Sequence, residues 1–134
     1  NLDLVPTILK ACGIKPDEKM SGINLLNPKA VKKRKSIFLE NFTHDMLDVD
    51  RPETALRARS VVQQNWKLTR WTEPHAKLKS MGWQIGIPQE KVELFDLTKD
   101  PLESTNVSTL HPKKVGELTK QLNSWWNLQV VGKK

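Results

Sequence analysis

At 134 residues the chain can make one compact domain but not comfortably two, which rules out a large, self-contained catalytic α/β domain. Apolar residues make up 37%, with five Trp and no Tyr, and no apolar run approaches the ~20 residues of a membrane span. The formal net charge of +7 alternates in blocks, +5 over residues 28–36, −4 over 37–56, +5 over 57–91, −3 over 92–110 and +4 over 111–134, a pattern of solvated faces rather than one nucleic-acid groove.

Asp3 through Gly13 reads as a short helix. Asp3 can cap the first free N–H groups, Pro6 falls in the first turn, and Gly13 suits the left-handed position that ends a helix, with Ile14 folding back on the last turn. Leu4, Val5, Ile8, Leu9, Ala11 and Cys12 make it apolar on nearly every side, so it needs partners on more than one face. The opening Asn1-Leu2-Asp3, with no initiator Met and no signal-peptide pattern, is read as a cut inside a longer protein. Cys12 is the only cysteine, which excludes an intrachain disulfide and a Cys-based zinc cluster.

Residues 15–27 are loop-like. Asn27-Pro28 then offers an N-cap and a first-turn proline for a short basic helix to about Arg34, carrying Lys29, Lys32, Lys33 and Arg34, with Lys35 just beyond. Ser36 to Phe42 has the β-branched and aromatic content of a buried strand, followed by a polar loop from Thr43 to Glu53. Ala58–Gln63 and Trp66–Trp71 read as a hairpin turning at Gln64-Asn65. Its alternation sets Trp66 and Trp71 on opposite faces and gathers several of Arg57, Arg59, Lys67 and Arg70 on one. Residues 72–90 are irregular. Val92 to Leu97 is another alternating strand, ended by Asp100-Pro101. From His111-Pro112 the strongest helix begins, with Val115, Leu118, Leu122, Trp125 and Trp126 in one apolar stripe. The expected fold is α+β: a small antiparallel sheet of about four strands covered on one face by a C-terminal helix.

Four stretches in this order resemble the C-terminal portion of a type I, formylglycine-dependent sulfatase of the alkaline-phosphatase-like superfamily. They are Asp3-Leu4-Val5-Pro6-Thr7-Ile8-Leu9 with Gly13-Ile14; Ser21-Gly22-Ile23-Asn24-Leu25-Leu26; Arg59 through Trp66-Lys67-Leu68; and Glu93-Leu94-Phe95-Asp96-Leu97 with Asp100-Pro101, Glu103 and Asn106-Val107. The last is the most specific, and its residues read as structural punctuation: Pro101 stops a strand, while Glu103 and Asn106 can satisfy free backbone groups. The resemblance implies that residues 1–27 are the tail of the main domain, with the first helix belonging there, and that 28–134 are the C-terminal subdomain.

It also implies a parent enzyme that hydrolyses sulfate esters with a formylglycine nucleophile and a bound calcium, both in the upstream catalytic domain. The implied partners are that domain and a sulfated carbohydrate or other sulfate ester. Neither nucleic acid nor membrane is expected, and the parent is expected to be exported. Cys12-Gly13-Ile14-Lys15-Pro16 fails the family's C/S-x-P-S/A-R motif, so no catalytic or metal residue is assigned to this chain. The substrate-binding candidates are His44 and Asp45, in a stretch from Glu40 to Asp45 that resembles the "E-x-F-x-HD" of some bacterial sulfatases. After a strand end, a His whose tautomer is fixed by an acid can donate to a sulfate or sugar oxygen, and the same pair can equally hold a loop together. Two other classes stay open: a stand-alone basic module binding sulfated glycan or nucleic acid, and a purely structural domain.

Overall fold

Residues 2–44, 48–73, 80 and 90–126 are described by the computed structural model of the chain. They divide into two compact units, Asn1–Lys35 and Ser36–Lys134.

The first unit holds α1 (Leu4–Ala11) and α2 (Pro28–Lys33). Gly13 adopts φ 75°, and the Gly13 and Ile14 N–H groups close onto the carbonyls of Lys10 and Leu9, so the helix stops where the glycine predicts. Asn27 is extended, and its side chain accepts from the Lys29 and Ala30 N–H groups, capping α2. Asp3 departs from the sequence reading. Its backbone is helical rather than extended, Pro6 has no N–H to offer, and its side chain caps nothing in α1. The carboxylate instead accepts from the Ile23 N–H at 2.8 Å and from both Arg34 terminal nitrogens, at 2.5 and 2.7 Å. One side chain thus ties the start of α1, the 15–27 loop and the end of α2.

The Arg34 hydrogen bonds, helped by the Ile23 N–H, hold the Asp3 carboxyl well below the usual carboxylate range. A carboxyl that ionises at lower pH when folded contributes its full stabilisation above its unfolded value of ~3.9 and loses it as pH falls through the depressed one. Asp3→Asn is therefore expected to destabilise this unit by about 1–2 kcal/mol at neutral pH, the range of a partly exposed charged hydrogen-bond pair. The gap between variant and parent narrows progressively below about pH 4, as amide exchange across residues 2–34 will report. A constant gap down to pH 2 would show that the carboxylate charge is not what holds these segments.

The second unit is one antiparallel sheet in the order β1 (Ser36–Phe42), β2 (Leu56–Gln63), β3 (Trp66–Trp71), β4 (Val92–Asp96), with α3 (Pro112–Trp125) packed on one face. The α+β expectation is met. Register places Phe38, Val61, Leu68 and Leu94 in one row across all four strands, on the face that carries α3. Val61, Leu68 and Leu94 join Leu118 and Leu122 of α3 in the core, each completely buried. Those two leucines are four apart and share one side of the helix, so the stripe seen in the sequence is the packing face. Trp126 is not part of that helix. Its backbone turns extended after Trp125, which stacks on Phe38 with ring centroids 4.8 Å apart.

β1 is a strand as expected, but it is not buried. It is the edge of the sheet, only its Phe38 side is turned to the core, and Ile37 and Leu39 on the opposite face are half exposed.

The edge at β4 is closed by the motif around Asn106. Its side-chain oxygen accepts from the Leu94 N–H at 3.0 Å and its amide donates to the Val92 carbonyl at 3.1 Å, while Val107 N–H bonds the Leu94 carbonyl. One asparagine thus does the work of a fifth strand. Asp100 holds the preceding turn: the Ser104 and Thr105 backbone N–H groups lower its pKa, and the Ser104 hydroxyl also donates to it at 2.9 Å. Glu103 does not satisfy backbone groups as expected. Held at φ 55°, it pairs with Lys67 at 2.5 Å across to β3.

Candidate functional site

His44 is exposed and lies two residues beyond the end of β1. Its position is set by its neighbour: Thr43 is buried, and the Thr43 N–H bonds the Ala55 carbonyl at 2.8 Å, where a short 3-10 turn (Pro52–Ala55) feeds β2. A register shift between Asn41 and Phe42 bends the strand just before it. His44 therefore follows an anchored stretch of backbone at one end of the sheet. Asp45 lies outside the described residues.

The hairpin cations divide between the faces. Arg59 and Arg70 are direct cross-strand partners on the α3 side, whereas Lys67 is on the other, with Glu103. The α3 face is not an open cleft wall. Arg59 is buried, donating to the Trp126 carbonyl and reaching the Asn123 side-chain oxygen at 3.5 Å, and Arg70 donates to the Thr119 hydroxyl at 3.3 Å. Burial first, then the charge of Arg70, pushes the Arg59 guanidinium down from its ordinary value. A cation at the carboxyl end of α3 complements the free carbonyls there, so Arg59 fastens the helix to the sheet. This use was not legible in the sequence, because it depends on which face the helix covers.

Trp66 and Trp71 do point to opposite faces. Trp66 packs against the core and meets the His111 ring edge-on at 5.0 Å, while the Trp71 indole N–H donates to Glu93 at 2.6 Å. Cys12 is exposed and free. Among the described residues no three His, Cys, Asp or Glu side chains converge.

Against known families, residues 1–129 match the description "N-sulphoglucosamine sulphohydrolase, C-terminal". The chain belongs to that family. No curated protein matches it. Solved structures share its fold: BT4656, in complex with its substrate D-glucosamine-2-N,6-O-disulfate, superposes with TM-score 0.59 at 17% identity over 91% of this chain and 22% of its own. BT1596, a 2-O GAG sulfatase, gives TM-score 0.61 at 21% identity over 98% of this chain and 25% of its own. A protein from a glycosaminoglycan-metabolism locus of Bacteroides thetaiotaomicron gives TM-score 0.54 at 20% identity over 91% of this chain and 24% of its own. The chain thus spans about a quarter of the length of each. The sulfatase C-terminal domain read from four motifs agrees with both the family and the fold.

Proposed function

We propose that this sulfatase C-terminal domain serves a hydrolase that removes sulfate groups from a sulfated carbohydrate, packing on an upstream catalytic domain and supplying part of the cleft rim. The match of residues 1–129 to the family carries the reading. In this reading residues 1–27 are the tail of the main domain and 28–134 the C-terminal subdomain. Leu4, Val5 and Ile8 of α1 are 53%, 53% and 59% exposed, an apolar helix face that water disfavours. The catalytic domain is its proposed cover. The formylglycine and calcium belong in that domain, where they would supply the nucleophile and neutralise sulfate charge. This chain's part is binding: His44 donates from the rim to a sulfate or hydroxyl oxygen, and Asp45 fixes its tautomer. The substrates named for the structural neighbours favour sulfated glucosamine or a related glycosaminoglycan unit.

Steady-state kinetics of the parent enzyme test the rim assignment. His44→Ala is expected to lower kcat/KM for a sulfated glucosamine by at least about tenfold, mostly through KM, as loss of a charge-assisted hydrogen bond would. Unchanged kinetics would remove His44 from the rim.

A further inference from the structure

At the other end of the sheet from His44 lies a pocket of about 460 Å³, walled by Trp66, His111, Lys113, Lys114 and Glu117. Trp66 opens β3 beside the hairpin turn, opposite Gln63, while Phe42 pairs with Leu56 at the far end of β2. Seven residues of strand separate those pairs, roughly 23 Å at ~3.3 Å per residue. The volume falls within the roughly 300–1,000 Å³ usual for small-ligand sites.

The walls combine two chemistries. The Trp66 indole, with the His111 ring set edge-on against it, offers an aromatic surface of the kind that packs on the C–H face of a pyranose. Lys113 is exposed and makes no ion pair among the described residues. Lys114 turns its ammonium to Glu117 at 2.6 Å. No acidic residue sits in the first turn of α3, and the His111 side chain leaves that turn uncapped. An aromatic wall beside two ammonium groups suits a sugar ring that carries an anionic group, with Glu117 the acid among the lining residues that opposes it.

We infer that this pocket is a binding site for a sulfated saccharide, seated against Trp66 and His111 and held by Lys113 and Lys114. Glu117 limits its affinity by occupying Lys114.

The test is a titration of the 134-residue chain with a heparin-derived hexasaccharide and with its fully desulfated, N-acetylated counterpart, followed by amide and indole chemical shifts. Shifts are expected at the Trp66 indole, His111 and residues 113–117, with no saturable binding of the desulfated sugar. Lys113→Gln with Lys114→Gln should weaken binding at least tenfold, and Glu117→Gln should tighten it about threefold, by releasing Lys114. A merely structural role for Glu117 would not produce that gain. The inference is overturned if the shifts fall instead on Lys29–Lys35, if the double variant binds as the parent does, if Glu117→Gln leaves the affinity unchanged, or if the desulfated sugar binds equally well. Because no turnover is measured, failure here leaves the hydrolytic reading standing, and loss of the hydrolytic reading leaves this binding measurable.

Discussion

Leu94→Ala is expected to lower the unfolding free energy of the Ser36–Lys134 unit by about 3–4 kcal/mol, the upper part of the range for emptying a packed leucine site. Leu94 is fully buried, sits in the row with Val61 and Leu68, and meets Leu118 and Leu122 of α3. It also lies where its own backbone bonds Asn106 and Val107, so the strand is held on that side and cannot readily collapse into the space left behind. The measure is the midpoint of a urea transition followed by tryptophan fluorescence, since Trp66, Trp71, Trp125 and Trp126 all belong to this unit. A loss below 1 kcal/mol would mean that α3 and the sheet do not share one core.

The second large effect falls in the other unit. A Cβ on Gly22 would come 2.0 Å from the Leu2 carbonyl oxygen and 2.5 Å from its carbon, both backbone atoms. Gly22→Ala must therefore push the chain at Leu2 aside, and Asp3 next to it is held by Ile23 and Arg34. A loss of about 2–3 kcal/mol is expected, the usual scale for overpacking. Hydrogen exchange should locate it in residues 2–34, with exchange in β2 and β3 unchanged. The Leu94→Ala variant should give the converse pattern. Matching exchange in the variant and the parent over residues 2–34 would contradict the close approach.

What the sequence disclosed follows a physical division. Helix ends set by local geometry were legible: Gly13 at φ 75° and Asn27 with two N–H partners both behave as their residue types demand. So was the α3 stripe, because a 3.6-residue period encodes its own buried side. Features that depend on distant segments were not. Asp3 gives up capping for a partner 31 residues away, Glu103 leaves its turn for Lys67, and Arg59 seeks the far end of α3. The strand from Ser36 reads as buried because Ile37, Phe38 and Leu39 are all apolar, yet topology puts it at the sheet edge with two of the three half exposed. At the candidate site the sequence located His44 correctly after a strand end, while Arg59 and Arg70, which it placed only on a hairpin face, bind the helix that covers that face. The Trp66 pocket escaped the sequence altogether, since it forms only when the hairpin end meets the start of α3.

The proposed function makes this chain the binding and packing part of a sulfate-removing enzyme whose chemistry resides upstream. It is tested most directly by sulfate release from D-glucosamine-2-N,6-O-disulfate, measured by ion chromatography in the presence of calcium. The 134-residue chain alone is expected to release none above background, and a parent polypeptide carrying the proposed catalytic domain to release sulfate from this or a related sulfated glucosamine. Reproducible turnover by the chain alone, or a folded, formylglycine-bearing parent that releases no sulfate from this or any other sulfated saccharide, would contradict it.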